Sequence, residues 1–338
     1  MSTAASYFVR TAGAVGGMGA LSSLFLLNKK NSYSACAGKQ DNSAFVFIKP
    51  HANTTAAQAF VKQGLVSKGI SIEKEGEITG EKIDKDMLID QHYYAIASKA
   101  TLVKPDKMPV DPKKFEGHFK VKWEDALKSG CVYNALDACE YLGIDAMGLD
   151  AAWGKAKKAD KLVKLGGGFY CGLIDTIPNK KPIYVFNGFF MSMRSKFVVP
   201  GTSIHYYVVN WSSDTLKWSD FRGKVLGPTD PAEAPAGSLR AAIYADWKKL
   251  GLKTIPDTGD NGVHASASPF EGLAERMNWL KIAPENDMFG KELLNAGISK
   301  ETIQKWSVDP QIKGKSLFDS LEDLDGAACV AKAIELNK

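Results

Sequence analysis

The pattern of apolar and polar residues divides the chain into segments that predict different elements. An apolar run at residues 44–48 predicts a strand, and the amphipathic segment 54–68 predicts a helix with Thr54 or Thr55 as its N-cap. The alternation at residues 70–79 predicts a half-exposed strand. Two more strand-like segments, 183–187 and 203–209, flank a methionine-rich helical stretch. Short strands thus alternate with helices, a pattern that favours an α+β domain.

Two other parts of the chain follow different patterns. Residues 100–182 combine a loop rich in proline and lysine with stretches that predict helices. The glycine run at residues 166–168 could cradle phosphate, but it lacks the Lys-Ser/Thr that completes a Walker motif. It is therefore interpreted as a structural turn into a strand. Residues 283–338 predict a helical extension without a recognisable motif.

Composition and charge place the chain among ordinary globular proteins. Its 338 residues, 45% hydrophobic and 24% charged, suffice for two domains or for one domain with a large insertion. The net charge of +5 arises mainly at the start, where Arg10, Lys29, Lys30 and Lys39 have no acidic neighbours. Removing these four from the 43 basic residues leaves 39 against 38 acidic residues. The body of the protein is nearly neutral, so no nucleic-acid-binding surface is expected.

The cysteines give no indication of a disulfide framework or of a zinc site. They are scattered, odd in number and contain no C-x-x-C pair. Free and mostly buried thiols in a reducing compartment are expected. The five residues are Cys36, Cys131, Cys139, Cys171 and Cys329.

Residues 1–40 predict a targeting segment or a membrane anchor. Residues 11–27 are small and apolar, a run that is marginal for a membrane span and long enough for targeting. The absence of acids and the Ser/Ala/Arg character favour a mitochondrial presequence or a single anchor. A cleaved secretory signal and a disordered tail are alternatives. The localisation indicated is mitochondrial, with membrane-anchored and cytoplasmic proteins as the other possibilities.

A histidine with small neighbours is the main candidate for chemistry. His264 precedes a predicted helix in which Glu275 and Trp279 lie one turn apart on one face. Small neighbours let a substrate approach the imidazole, and a nearby helical carboxylate can orient the ring. This local pattern does not by itself separate a catalytic histidine from an inert one.

Five blocks of sequence, taken in order, resemble the nucleoside diphosphate kinase family. The resemblance is specific because the blocks agree in both order and content. It covers roughly residues 44–99 and 183–282, about half of the chain, and leaves 100–182 as an insertion subdomain and 283–338 as a C-terminal extension. The blocks are Lys49-Pro50, His92-Tyr93, the segment 227–232, the segment 235–240 ending in Arg240, and the segment 261–268 followed by Glu275 and Trp279.

The resemblance implies both a fold and a reaction. The fold would be a ferredoxin-like βαββαβ domain with an antiparallel sheet, interrupted by a mainly helical insertion. In the ping-pong reaction, His264 would take the terminal phosphate of ATP or another nucleoside triphosphate and pass it to a nucleoside diphosphate. Glu275 would orient the ring and Ser266 would assist. Mg²⁺ would be held through the nucleotide phosphates, so no metal-ligating residues are expected.

The resemblance also implies a set of nucleotide-binding residues. Lys49 and Asn261 would contact the ribose hydroxyl and the terminal phosphate. Lys99 stands where the family usually has an arginine, and Gly223, between Arg222 and Lys224, stands where a second arginine is expected. The nucleotide-binding residues implied are Lys49, Tyr93, Lys99, Thr229, Arg240 and Asn261.

Assembly and two alternative functions stay open at this point. Family members are commonly hexamers or tetramers, which implies a homo-oligomer, and residues 1–40 and 100–182 could add contacts to a membrane or a complex. The chain could instead be a catalytically weak or inactive kinase-like subunit of a larger, mitochondrial membrane-associated assembly. It could also be a nucleotide sensor that binds without transferring phosphate. The insertion could be a cap packed on the core or a surface for a partner.

Overall fold

The computed structural model describes residues 40–166 and 168–338 of the chain. The segment for which targeting or membrane anchoring is predicted, residues 1–40, lies outside the described residues except for Gln40. That prediction, like the thiol state of Cys36, therefore stays untested. Within the described ranges, no helix combines the length and the apolar character that a membrane crossing requires.

Strands form three separate sheets in the described ranges. The ten strands, in chain order, are β1 (Asn42–Ile48), β2 (Ser71–Thr79), β3 (Val132–Asn134), β4 (Leu162–Gly166), β5 (Phe169–Ile174), β6 (Ile183–Phe186), β7 (Ser203–Trp211), β8 (Val263–Ala265), β9 (Gln311–Ile312) and β10 (Lys315–Ser316).

Helices cover the sheets and fill the connections between strands. The α-helices of the described ranges are α1 (Thr55–Ser67), α2 (Gly80–Lys85), α3 (Leu88–His92), α4 (Tyr94–Ala97), α5 (Pro112–Phe119), α6 (Trp123–Lys128), α7 (Ala135–Leu142), α8 (Ala146–Lys158), α9 (Phe190–Val198), α10 (Trp218–Asp220), α11 (Leu239–Ala245), α12 (Pro269–Leu280), α13 (Met288–Asn295), α14 (Lys300–Trp306), α15 (Leu317–Leu321) and α16 (Gly326–Leu336).

The main sheet has the strand order β2-β7-β1-β8, and each neighbouring pair is antiparallel. Helix α1 connects β1 to β2, and α11 lies in the connection from β7 to β8. The strands expected at 44–48 and 70–79 and the helix between them are confirmed to within two residues. Thr54 caps α1, because its hydroxyl accepts a hydrogen bond from the Ala57 amide at 3.1 Å. The protein is thus a mixed helix and sheet structure with an antiparallel sheet.

Strand β1 is buried on both of its faces. Successive side chains of a strand point to opposite faces, so Ala44, Val46 and Ile48 lie on one face and Phe45 and Phe47 on the other. The first three pack with α1 and α11, while the two phenylalanines pack with α3, α9 and α12. This position between two layers explains why β1 is an uninterrupted apolar run rather than an alternating one.

The second sheet lies mostly in residues 100–182, where the sequence predicted mainly helices. The predicted helices are present as α6 to α8, but the sequence predicted neither α5, which begins in the expected proline- and lysine-rich loop, nor the mixed sheet β3-β6-β5-β4. In this sheet β3 and β6 are parallel and the other pairs are antiparallel. Strand β6 was assigned to the kinase-like segment, yet it pairs with β5, so the sheet crosses the predicted boundary at 182. A strand as short as β3 depends on this distant pairing, which local sequence does not show.

The C-terminal extension is helical, as expected, with the small β9-β10 hairpin added. Its apolar side chains pack with Phe270 and Leu273 of α12. Asp325 ties the extension to the main sheet, because its carboxylate accepts hydrogen bonds from the Asn42 side chain at 3.0 Å and the Trp218 amide at 2.8 Å. The extension is therefore part of the same packed body as the main sheet.

Helix α12 approaches β1 closely at Gly272, and a side chain there is expected to destabilise the protein. A methyl group at this position would lie 2.8 Å from the Ser43 carbonyl oxygen and 2.9 Å from the Arg276 guanidinium. We expect Gly272→Ala to lower the free energy of unfolding by about 1–3 kcal/mol, measured by chemical denaturation. Gly117→Ala in α5 is the control, since the added methyl would meet no atom within 4 Å other than those of the neighbouring residues and the nearby helix backbone. Equal stability of the two variants would contradict the close approach.

Candidate active site

His264 lies at the centre of the short strand β8, and its position follows from the pairing of β8 with β1. In that register His264 is directly opposite Phe47. Opposed residues of an antiparallel pair project to the same face, so the imidazole lies on the face that α12 covers. The rings of Phe47 and His264 stack with centroids 4.6 Å apart. The side chain of His264 keeps 17% of its surface exposed, which leaves it accessible from a cavity.

Helix α12 brings a carboxylate to this imidazole. The helix begins after Ser268, whose hydroxyl accepts a hydrogen bond from the Glu271 amide. Glu275 is buried, and its Oε1 lies 2.6 Å from His264 Nε2. Its other oxygen accepts a hydrogen bond from the Ser266 hydroxyl at 2.5 Å. The structure thus brings together His264, Glu275 and Ser266, the three residues for which the sequence predicted catalytic roles.

The two nitrogens of His264 have different surroundings. Burial, with the positive charges of Lys49 and Arg240, holds the pKa of His264 well below its usual range, so the ring is neutral at neutral pH. Nε2 faces Glu275, whose pKa is raised to about 7 by burial. When Glu275 is ionised, Nε2 carries the hydrogen and Nδ1 keeps its lone pair. Nδ1 has no hydrogen-bond partner among the described residues, so its lone pair is available for chemistry.

His92 is a second histidine at this site, and the sequence analysis gave it no role. Its ring is perpendicular to that of His264, with centroids 4.7 Å apart, and its Nδ1 lies 3.4 Å from Glu275 Oε1. Burial, with His264 beside it, lowers the pKa of His92 to about 3. The only signal in the sequence was its place before Tyr93. His92 is therefore a neutral imidazole within reach of the His264–Glu275 pair.

A cavity of about 500 Å³ opens beside His264, and we call it the arginine cavity. Arg240 is 8% exposed and donates hydrogen bonds to the carbonyl oxygens of Val263 and Gly227. No carboxylate of the described residues pairs with it, and burial lowers the pKa of Arg240 to about 10. A buried guanidinium without a counter-charge favours an anionic ligand. The side chains that line the arginine cavity include Arg222, Thr229, Arg240, His264 and Glu271.

Arg222 supplies a cation where the sequence comparison had only Gly223. A π-helical turn at Phe221–Leu226 carries Arg222, and this side chain lines the arginine cavity. The wider turn changes the directions of the side chains, so position in the sequence alone did not reveal the replacement. The Arg222 guanidinium donates to Glu322 at 2.7 Å and to Asp323 at 2.8 Å. Two acids of the C-terminal extension therefore partly neutralise this arginine.

Lys49 and Asn261 lie close to the arginine cavity without lining it. The Lys49 amine donates to the Gly259 carbonyl at 3.0 Å and borders a separate cavity of about 490 Å³. Burial, with Arg240 nearby, lowers the pKa of Lys49 to about 8. The Asn261 side chain donates to the Thr229 carbonyl at 2.9 Å, and its own oxygen is buried and has no partner within residues 40–166 and 168–338. Asn261 thus holds the loop that carries Thr229.

Tyr93 and Lys99 were expected beside the nucleotide phosphates, and the structure separates them. Tyr93 lines a third cavity, of about 320 Å³, which it shares with His92 and His264. Burial raises the pKa of Tyr93 to about 12, so its hydroxyl stays protonated. Lys99 lines neither cavity that His264 borders, and its amine donates to the Ala95 carbonyl of its own helix at 2.8 Å. The expected role of Lys99 therefore has no support in the geometry.

The sequence matches no protein-family model and no curated protein. Among solved structures, one similar fold is nucleoside diphosphate kinase from Encephalitozoon cuniculi, with 14% identity, a TM-score of 0.34 and coverage of 71% of this chain and 88% of that one. Another is an NDP kinase from Pyrobaculum aerophilum, with 14% identity, a TM-score of 0.33 and coverage of 70% and 94%. These are distant similarities.

Proposed function

We propose that this chain transfers the terminal phosphate of a nucleoside triphosphate to a nucleoside diphosphate through a phosphohistidine at His264. One observation carries the proposal. Buried Glu275 holds one ring nitrogen of His264, and the ring borders a cavity lined by Arg240. Among the described residues, the other ring nitrogen has no hydrogen-bond partner and the Arg240 guanidinium has no carboxylate partner. We further propose that β1, α1, β2, β7, α11 and β8 form a ferredoxin-like domain, which the strand order and the antiparallel pairing support.

In the proposed reaction the lone pair of His264 Nδ1 attacks the terminal phosphorus. The bond from that phosphorus to the bridging oxygen breaks, and the nucleoside diphosphate leaves with the bonding electrons. The positive charge on the ring is shared through Nε2–H with the Glu275 carboxylate. Arg240 can stabilise the negative charge on the equatorial phosphate oxygens. A second nucleoside diphosphate then reverses the same steps, so one site serves both donor and acceptor.

Magnesium would neutralise phosphate charge in this reaction when bound with the nucleotide. Mg²⁺ prefers an octahedral set of oxygen ligands and usually binds through few protein groups. In the described residues, the one cluster with metal-ligand spacing consists of two imidazoles and one carboxylate, which is a poor set for Mg²⁺. We therefore propose, as the sequence analysis expected, that Mg²⁺ is held through the nucleotide phosphates.

Labelling with γ-labelled ATP and magnesium tests the proposed function. The protein is expected to take up label that is lost in acid and stable in alkali, as a phosphohistidine would be. His264→Ala should take up none. His205→Ala is the matched control, because His205 lies on β7 and lines none of the three cavities described above. Absence of label on the folded wild-type protein, or equal label on His264→Ala, would contradict the proposal.

The acidic contacts of Arg222 favour a second candidate function. Glu322 and Asp323 form ion pairs with the Arg222 guanidinium, which could otherwise bind phosphate oxygens. A kinase-like subunit with weak or no transfer activity would fit this arrangement, and so would a sensor that only binds nucleotide. For the sensor, ATP binding, measured by calorimetry, should persist without labelling, whereas absence of both binding and labelling would favour the structural subunit. If the acids only slow the transfer, the double variant Glu322→Gln/Asp323→Asn should take up label faster than the wild type.

The alkaline pH dependence of transfer is expected to report on Lys49. Its lowered pKa of about 8 means that the amine is charged below this pH and neutral above it. If the charge assists phosphate binding, kcat/KM for the nucleoside triphosphate should fall as pH rises through about 8, because kcat/KM reflects the free enzyme. Lys49→Arg keeps its charge and should remove this fall. Identical pH profiles for the two proteins would contradict a role for the Lys49 charge.

The assembly and the cellular location stay predictions. We propose a homo-oligomer, in which residues 100–182 could add contacts to a partner or a complex, and a mitochondrial location directed by residues 1–40. Light scattering of the purified full chain measures the oligomeric state. A fluorescent fusion with and without residues 1–40 measures the location, since loss of the segment should abolish mitochondrial localisation.

A further inference from the structure

Three potential metal ligands converge at the edge of the candidate active site. His92 ends α3, His264 lies on β8 and Glu275 is on α12, so three separate elements supply them. One ligand atom of each side chain lies within 4.8 Å of the others. Glu275 Oε1 is central, at 2.6 Å from His264 Nε2 and 3.4 Å from His92 Nδ1. The cluster contains the nitrogen and oxygen donors that transition metals prefer.

We propose that His92, His264 and Glu275 bind a divalent transition metal ion of the zinc class. Zinc accepts two imidazoles and one carboxylate at about 2.0–2.2 Å, and a water molecule commonly fills its fourth position. Tetrahedral ligands at these lengths lie about 3.3 Å from each other. The separation of 3.4 Å between His92 Nδ1 and Glu275 Oε1 already matches this spacing. The indole N–H of Trp279 donates to the same Nδ1 at 3.4 Å, and the metal would replace this hydrogen bond. His264 and Glu275 would have to separate by less than 1 Å, a shift that side-chain rotation can supply.

The charge around Glu275 supports a cation at this point. The carboxylate is 4% exposed, and among the described residues no lysine or arginine forms an ion pair with it. The adjacent Arg276 is instead paired with Asp287 at 2.6 Å. A buried carboxylate is stabilised by a paired cation or by a bound metal. The two imidazoles carry no fixed positive charge, so a divalent ion would supply the positive charge that compensates the Glu275 carboxylate.

The surroundings also provide access and orientation for a metal ion. All three side chains line the cavity of about 320 Å³ that Tyr93 borders, which offers a route for the ion and room for a water ligand. The second oxygen of Glu275 accepts the hydrogen bond from Ser266 and is thereby oriented. Such hydrogen bonds behind a ligand strengthen metal sites.

Metal binding would oppose phosphoryl transfer, and this consequence alone depends on the proposed function. A metal on His264 Nε2 needs the lone pair of that nitrogen, so the single hydrogen of the neutral ring would move from Nε2 to Nδ1. Nδ1 would then have no lone pair with which to attack phosphorus. A metal ion bound on the Nε2 side of the His264 ring would thus inhibit the phosphoryl transfer that Nδ1 performs. Binding of the metal itself does not require that His264 be phosphorylated.

Metal titration of the chelator-treated full chain tests this inference. Calorimetry with Zn²⁺ should show one ion bound per chain, and Co²⁺ should produce visible absorption typical of tetrahedral nitrogen and oxygen coordination. His92→Ala and the isosteric Glu275→Gln should each weaken Zn²⁺ binding more than 10-fold, since even loss of a hydrogen bond behind a ligand costs about 10–100-fold. His205→Ala should bind as the wild type does, and excess Mg²⁺ should not compete.

The outcomes separate this inference from the proposed kinase function. Wild-type affinity in folded His92→Ala and Glu275→Gln would overturn the site, and so would absence of any stoichiometric binding by the wild type. Circular dichroism of each variant establishes that it is folded. A protein that binds Zn²⁺ through these residues but takes up no label from ATP would retain the metal site and refute the kinase. The reverse result would retain the kinase and refute the metal site.

Discussion

Replacing Arg240 with methionine is expected to reduce the rate of His264 labelling by ATP about 100- to 1000-fold. Removal of one buried donor that stabilises developing negative charge typically has an effect of this size. Methionine has a similar volume and removes only the charge and the donors. The carbonyls of Val263 and Gly227 lose their partner, so a loss of about 1–3 kcal/mol in the free energy of unfolding is also expected. Quenched-flow labelling and chemical denaturation measure the two effects.

The stability cost is limited because, in the part of the chain that the structure describes, Arg240 has no carboxylate partner that its removal would leave uncompensated. Arg240→Lys is the informative companion, since it keeps a charge but loses the planar fork, and it should label at an intermediate rate. Arg240→Met with an unchanged rate would show that the arginine cavity does not hold the transferred phosphate. If Arg240→Met fails to fold, the labelling rate of Arg240→Lys tests whether the arginine cavity holds the transferred phosphate.

The elements that the sequence predicted correctly are those whose formation depends on residues close to one another in the chain. Strand β1 could be recognised as an apolar run, and α1 by its amphipathic spacing and the Thr54 cap. The second sheet could not be recognised in the same way. Trp153 of α8 packs against the backbone where Gly172 and Gly188 carry no side chain. In the sequence both glycines resemble ordinary turn residues, because nothing nearby in the chain indicates that Trp153 packs against them.

The candidate site shows the same division between near and distant residues. His264, Ser266 and Glu275 lie within one strand–helix unit, so helical spacing and family resemblance together could predict their proximity. Arg222 was not predicted, because its direction depends on a π-helical turn. The contact of Glu322 with Arg222 was also missed, because it depends on the folding of the C-terminal extension over the arginine cavity. Both the direction of the Arg222 side chain and its contact with Glu322 depend on long-range packing, which local sequence patterns do not reveal.

Replacing Asp287 with asparagine is expected to lower the free energy of unfolding by about 3–5 kcal/mol at neutral pH. Arg276 is 1% exposed and forms two hydrogen bonds with Asp287, at 2.6 and 3.0 Å. Loss of one partner leaves the other charge buried without compensation, and such a loss has this magnitude. The oxygen of asparagine can still cap α13, while its NH2 group cannot accept from Arg276 Nε, so the variant removes the charge and one hydrogen bond. Glu285→Gln breaks only the exposed pair with Lys300 and should leave the free energy of unfolding almost unchanged.

The same pair predicts how stability depends on pH. Burial alone would raise the pKa of Asp287, but Arg276 and the amides of α13 outweigh it and hold the pKa below its usual value. The stabilisation is therefore complete above the unfolded pKa of about 3.9 and is lost as pH falls through the lower folded value. Asp287→Asn should lack this acid-dependent loss. A double variant with Arg276→Met should recover most of the stability, because no buried charge is left unpaired.

These variants also test whether the ion pair positions Glu275. Arg276 follows Glu275 in α12 and donates to the Ser43 carbonyl of β1 at 3.1 Å, so the pair with Asp287 holds the helix against the sheet. If that attachment maintains the bond between Glu275 and His264, Asp287→Asn should label more slowly at temperatures where it remains folded. The double variant should then recover stability without recovering the full rate, because the bond from Arg276 to β1 is missing. Full recovery of both would mean that packing alone, through Gly272 and Trp279, positions the carboxylate.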